Sequence, residues 1–306
     1  MDIRSALIVG AGAIGAAAAS RIHDVEPRAV ALCATGERRE RYSRDGLIVN
    51  GKRYDFRLAD AADAPFDLIL IAVKSYNLAE AMEDMRPYVG PGTTILSLLN
   101  GITSEEILRA EFGADKVPLA YSIGIDALRV GNRTEFHSIG EIRFGMEKND
   151  PTFPDERVAA VSRFFSAHDL PHSIPADMVK ALWFKFMINV ALNQWSALLR
   201  GSYALFQKSA PAWELAAETM EEVIALSDAC GKGLSSADID TVFSTLSSLD
   251  GRGRSSMLQD VEARRKTEVD IFAGVVIRKS AECGLAAPLN RYLQLGIRAI
   301  EDGYSL

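Results

Sequence analysis

Cysteine is scarce in this chain: three residues in 306, Cys33, Cys230 and Cys283, odd in number and widely scattered. That pattern excludes a disulfide framework and offers no metal-ligand or redox pair, so reduced thiols in a cytoplasmic protein are expected. Histidine offers no metal either. Of the four, only His168 and His172 lie four apart, and Pro171 between them discourages the helix that would align them. No apolar run approaches the ~18 residues of a membrane span, and the first strand begins too early for a signal peptide. Basic charge is in deficit as well. A net charge of −7 argues against nucleic acid as a partner, because phosphate backbones are bound by positive surfaces.

What is present is the composition of a globular protein, 48% hydrophobic and 25% charged, with length enough for two cores. Short apolar runs at 6–9, 29–33, 67–73, 93–98 and 117–123 alternate with amphipathic stretches, which predicts a parallel, doubly wound sheet. Asn50-Gly51 between 47–49 and 54–56 signals a hairpin. Residues 136–145 read as a late antiparallel hairpin and 155–167 as one more helix. Beyond about residue 174 the alternation stops. Helices are expected over 176–200, 210–230, 236–249 and 256–283, with breaks at Gly231-Lys232-Gly233 and Gly251-Arg252-Gly253. The fold class is therefore α/β: an N-terminal Rossmann-type doubly wound sheet over 1–174, then an all-helical C-terminal domain over 175–306.

Gly10-x-Gly12-x-x-Gly15 follows the first strand and opens the first helix. There the glycines permit a tight turn, a close backbone approach to a pyrophosphate and close helix–strand packing. The amides around Ala13 and Ile14 then point at the anion. A dinucleotide is the expected ligand. An NAD fold usually carries an acid at the end of the second strand to accept the ribose 2′-hydroxyl, but here that end is Cys33-Ala34-Thr35-Gly36. Arg38 or Arg39 suits a 2′-phosphate and favours NADPH, while Glu37 leaves NADH open. Lys74 and Asn100 close two further strand ends, where ligands of parallel sheets bind. Lys74 suits cofactor or substrate oxygens, and Asn100 the nicotinamide ribose or substrate; a surface lysine and an ordinary Asn-Gly turn are the plain alternatives.

In the helical half, Lys185, Asn189 and Asn193 fall four apart within the otherwise apolar run 181–195, an arc of about 80° on one helix face. A buried amide without a partner costs about 1–3 kcal/mol, and a buried unpaired ammonium costs more. Such a stripe needs a partner, either a ligand or other polar side chains. Glu268, next to an apolar stretch, would pair naturally with Lys185, unless it is a surface charge. Ser255 or Ser256 is available as a helix cap. In one straight helix Ser256 and Glu268 would be about 18 Å apart, so Ser256 is expected on a distal group of the ligand. Val223, Ile224, Leu226, Val242, Phe243 and Leu246 serve either the core or a homodimer.

Taken together, the chain resembles the ketopantoate reductase (2-dehydropantoate 2-reductase) family along essentially its whole length. The resemblance is carried by the glycine turn, Val73-Lys74, Asn100-Gly101, the Lys185–Asn189–Asn193 helix, Ser255-Ser-Met-Leu-Gln-Asp260 and Thr267-Glu-Val-Asp270. It implies NADPH-dependent reduction of a 2-oxo acid, ketopantoate foremost. In that reaction Lys185 is the general acid and Glu268 supports the acid–base and hydroxyl network. Asn189, Asn193 and Ser256 would hold the substrate, while Lys74 and Asn100 position cofactor and substrate. Two positions depart from the family pattern. Thr35 stands where Arg is frequent, which shifts the 2′-phosphate contact to Thr35 with Arg38 or Arg39, and Thr103 stands near a position often taken by a second glycine.

Overall fold

Four runs of aliphatic residues, too short for helices and without charge, satisfy their backbones by pairing and become buried strands. In the computed structural model, which describes residues 1–63 and 65–306, the chain divides into two compact units, Met1–Val179 and Lys180–Leu306. The first unit runs β1 (Ala6–Val9), α1 (Ala13–Val25), β2 (Val30–Cys33), α2 (Gly36–Asp45), β3 (Leu47–Val49), β4 (Lys52–Tyr54), β5 (Leu68–Ile71), α3 (Leu78–Met85), β6 (Thr94–Ser97) and α4 (Ser104–Phe112). It continues with β7 (Leu119–Ile123), β8 (Asp126–Val130), β9 (Arg133–Ser138), β10 (Glu141–Gly145), α5 (Glu156–Ala167) and β11 (His172–Ser173).

The main sheet is all-parallel in the order β2-β1-β5-β6, with Val9 aligned to Cys33 and Ile71, and Ile71 to Ser97. Its two faces bury separate clusters. Ile8, Leu70 and Leu96 pack with α1 and α5, while Leu7, Ile69 and Ile95 pack with α3 and α4. This is the doubly wound Rossmann-like arrangement read from the alternation, and it brings four strand ends to one edge.

The Asn50-Gly51 hairpin forms between β3 and β4, with both residues at positive φ (47° and 78°), as a two-residue I′-type turn requires. Two strand expectations need correction. The run 117–123 does not extend the parallel sheet; β7 pairs antiparallel with β10 in a separate sheet ordered β11-β10-β7. Apolar runs announce burial but carry no strand direction. Residues 136–145 are not one hairpin. β9 turns back on β8 across Gly131-Asn132 and joins β3 and β4, while β10 belongs to the other sheet. The two-residue Gly131-Asn132 loop was the usable hairpin signal.

The second unit is helical: α6 (Met178–Ile188, entering from the first unit), a π turn over Asn189–Asn193, α7 (Gln194–Leu199), α8 (Tyr203–Lys208), α9 (Ala210–Ala229), α10 (Ser236–Ser248), α11 (Ser256–Glu262), α12 (Ala273–Glu282) and α13 (Pro288–Asp302). The expected helix 256–283 is broken. Arg264 takes a left-handed φ of 52°, Arg265 N–H donates to the Asp260 carbonyl (2.8 Å) and Arg264 N–H to that of Val261 (3.1 Å). This is a Schellman ending built on arginine instead of glycine. The Arg264 guanidinium donates to the carbonyl of Tyr304 (2.5 Å) and holds the reversal. Tertiary contacts thus override a run of good helix formers.

Val223, Ile224, Leu226, Val242 and Leu246 are buried within the chain, and Phe243 lies against Trp213 with ring centroids 4.6 Å apart. The first five are core, while Phe243 stays exposed beside Trp213. The cysteines are free thiols, and Cys230 and Cys283, far apart in sequence, are brought together by the fold. Among the described residues no group of His, Cys, Asp or Glu is placed to hold a metal ion, and no helix is long and apolar enough to cross a membrane.

Candidate active site

In the first unit the glycine turn is sterically obligatory at two of its three positions. Gly10 has φ 96°, and a Cβ there would meet Val73 Cγ1 at 2.6 Å. A Cβ on Gly15 would lie 2.1 Å from the Gly10 carbonyl oxygen, so only glycine lets α1 start this close to β1. At Gly12 the nearest atom would be 3.7 Å away. α1 has no acid in its first turn, and the amides of Ala13, Ile14 and Gly15 precede its first intrahelical bond, from Ala16 N–H to the Gly12 carbonyl (2.9 Å). The positive end of the helix dipole is therefore clear for an anion.

Three other strand ends flank it. Lys74 follows β5 and is half-buried, and Asn100, also half-buried, precedes Gly101 (φ 96°) after β6. Beneath the Asn100 loop lies a polar chain absent from the sequence reading. Ser97 Oγ accepts from Leu99 N–H (3.4 Å), Ser97 and Ser104 share a hydrogen bond of 2.8 Å, and Ser104 Oγ donates to Glu105 Oε2 (2.9 Å). Glu105 Oε1 accepts from Ala120 N–H (3.4 Å). Burial pushes the Glu105 carboxyl up to about 7. The signal was its i, i+3, i+7 spacing with Leu108 and Phe112, which puts it on the inner face of α4.

At the end of β2 the residues expected to meet a 2′-phosphate are already engaged. Thr35 occupies the N-cap position of α2 without capping it. Its hydroxyl instead lies 3.2 and 3.3 Å from the two carboxylate oxygens of Asp84 in α3. Arg38 pairs with Glu80 (2.9 Å), and Arg39 donates to the Ala59 carbonyl (2.7 Å) and faces Asp60 at 3.7 Å.

In the second unit the stripe Lys185–Asn189–Asn193 crosses from α6 into the π turn. A π turn takes more residues to close than the 3.6 of an α-helix, so Asn193 falls back toward the line through Lys185 and Asn189. Asn193 Nδ2 donates to Asn189 Oδ1 (3.3 Å) and reaches Ser256 Oγ at 3.5 Å, so both asparagines and the serine gather in one place. Ser255, not Ser256, is the cap of α11. Its Oγ accepts from Leu258 N–H (3.1 Å) and donates to Ser196 Oγ (3.1 Å). Gln194 stabilises the widened turn: its Nε2 donates to the Val190 carbonyl (2.6 Å) and its Oε1 accepts from Ala273 N–H (3.2 Å).

Lys185 is half-buried, and loss of hydration alone lowers its ammonium to about 8. Among the described residues no acceptor holds it. The expected pairing with Glu268 is therefore absent. The break after Glu262 also removes the straight helix that would have set Ser256 and Glu268 about 18 Å apart, and Glu268 lies buried ahead of a 3₁₀ turn over Val269–Ile271 with interactions of its own. An amine without a counter-ion, poised to gain or lose a proton near neutrality, is suited to acid–base chemistry.

The family model described as ketopantoate reductase PanE/ApbA matches residues 6–149, and its C-terminal counterpart matches 177–301. The 2-dehydropantoate 2-reductase of Aquifex aeolicus is 27% identical over 309 residues, covering 96% of both chains. A crystal structure of a PanE/ApbA family ketopantoate reductase from Ralstonia eutropha superposes with a TM-score of 0.84 at 24% identity, covering 99% of this chain and 100% of that one. D-mandelate dehydrogenase, solved with NADH and anilino(oxo)acetate, superposes at 0.86 with 22% identity over 99% of this chain and 100% of its own.

Proposed function

The chain belongs to the ketopantoate reductase PanE/ApbA family, and from that membership we propose that it reduces a 2-oxo acid, 2-dehydropantoate to (R)-pantoate foremost, using a nicotinamide dinucleotide. The observation that carries this reading is Lys185: an ammonium without a counter-ion, lowered to about 8, on the helix whose next two turns bring Asn189 and Asn193 to Ser256.

A nicotinamide dinucleotide held by the chain would supply hydride to the carbonyl carbon. The protein's task is then the charge that collects on the carbonyl oxygen, and Lys185 Nζ donates the proton there. A positioned acid of this kind contributes about 10²–10⁴ in rate. Because the ammonium is already partly dehydrated, it loses less on meeting that oxygen than an exposed lysine would. Asn189, Asn193 and Ser256 offer two amides and a hydroxyl for the substrate's carboxylate and hydroxyl groups. Glu268 belongs to the hydroxyl network, without the direct lysine pairing. In the first unit Gly10, Gly12, Ala13, Ile14 and Gly15 receive the pyrophosphate, and Lys74 and Asn100 orient the nicotinamide half. For the adenosine half, Arg38 and Arg39 speak for NADPH and the carboxylates of Glu80 and Asp84 speak against it.

Steady-state reduction of a panel of 2-oxo acids, with each cofactor, tests the proposal. Ketopantoate is expected to give the highest kcat/KM, and Lys185→Ala to lower it by at least about 10² with cofactor affinity retained. A different preferred oxo acid would reassign the substrate within the same chemistry. Cofactor binding without reduction of any oxo acid would mean a dinucleotide-binding sensor.

A further inference from the structure

In parallel nucleotide-binding sheets the group that reads the adenosine ribose sits at the end of the second strand, where a carboxylate accepts the 2′-hydroxyl and excludes a 2′-phosphate. In sequence that end carries no acid. In the fold it does: Asp84, 49 residues downstream on α3, places its carboxylate oxygens 3.2 and 3.3 Å from Thr35 Oγ1. Thr35 gives up the helix cap its position invites in order to make this contact. The burial of Cys33, which ends β2, pushes its thiol up to about 12, with the Asp84 charge adding to the rise and Arg38 opposing it. Both side chains therefore act on the end of that strand.

Resting on the nicotinamide-dependent reading above, we propose that Asp84, held by Thr35, accepts the 2′-hydroxyl of the adenosine ribose and makes NADH the preferred cofactor. Arg38 does not reverse this. It shares its guanidinium with Glu80, and although such exposed pairs break easily, breaking this one leaves the Glu80 charge beside the arriving phosphate. Arg39 is turned toward Ala59 and Asp60. A 2′-phosphate would thus enter a site where the fixed charge nearest Thr35 is negative, which disfavours NADPH.

The test is direct binding without oxo acid: nicotinamide fluorescence titrations of the purified protein with NADH and with NADPH, for wild type, Asp84→Asn and the double variant Thr35→Arg/Asp84→Asn. Wild type is expected to bind NADH about tenfold tighter than NADPH or better, from one charge-assisted hydrogen bond. Asp84→Asn should bring the ratio within about threefold, and the double variant should reverse it. Wild-type binding of NADPH as tight as NADH, or a ratio unmoved by Asp84→Asn, would overturn the inference and leave the reductase reading standing. Binding of neither nucleotide would overturn both.

Discussion

The Lys185 ammonium sets a definite pH dependence on the proposed reaction. With its proton released near pH 8, the fraction able to act as an acid is about 90% at pH 7, half at pH 8 and about 9% at pH 9. Reduction followed as kcat/KM, which reports the free enzyme, should be flat to about pH 7 and then fall tenfold per pH unit. Oxidation of the hydroxy acid needs the neutral amine and should rise through the same midpoint. Replacement by arginine, which stays charged, should remove the descending limb. Nicotinamide absorbance measures every one of these rates. A limb centred near 10.5, the ordinary lysine value, would mean that the amine is hydrated and that the argument from burial is wrong. Stability carries the opposite face of the same shift. From about 8 to 10.5 the unfolded chain holds a proton that the folded one has released, so stability should rise with pH across that window. At 1.36 kcal/mol per pH unit, the cost of keeping the ammonium at neutral pH is on the order of 3 kcal/mol, and Lys185→Met should return part of it while removing activity.

Three further outcomes follow from the geometry. Gly15→Ala places a Cβ 2.1 Å from the Gly10 carbonyl oxygen; dinucleotide affinity should be lost and the unfolding midpoint lowered, as calorimetry and fluorescence titration would read. Ser255→Ala removes the α11 cap and should cost about 1 kcal/mol in urea unfolding with KM unchanged, whereas Ser256→Ala should raise KM for the oxo acid with stability unchanged. The Glu105 carboxyl, pushed up from 4.5 to about 7, keeps its proton longer in the folded chain than in the unfolded one. Stability should therefore fall as pH rises from about 4.5 to 7, and Glu105→Gln should flatten that slope.

Sequence reasoning located what is local. The glycine turn, the Asn50-Gly51 hairpin and the Lys185 stripe are each defined by neighbours within a few residues, and each forms as a local turn, a hairpin or one polar helix face. What escaped depends on partners distant in the chain. The reversal at Arg264 is held by the carbonyls near the C-terminus, so nothing in Arg264-Arg265-Lys266 announces it. The carboxylate at the end of β2 comes from α3, and the strand end itself, Cys33-Ala34-Thr35-Gly36, carries no acid. Glu105 resembled an ordinary acid of a helix first turn, and only its spacing with Leu108 marked it as interior. Cys230 and Cys283 came together through the fold rather than through any motif.

The π turn at Asn189–Asn193 amounts to one residue more than a regular helix would contain over the same rise. Removing a single residue there would restore an unbroken α-helix, and everything beyond it would swing by about 100°. Trp195, whose indole N–H donates to Thr219 at 2.8 Å, and Gln194, which ties the turn to the start of α12, would then leave their sockets. The extra residue is thus locked in by neighbours facing away from the polar stripe. The protein keeps its irregular helix because the scaffold behind it has been fitted to that irregularity.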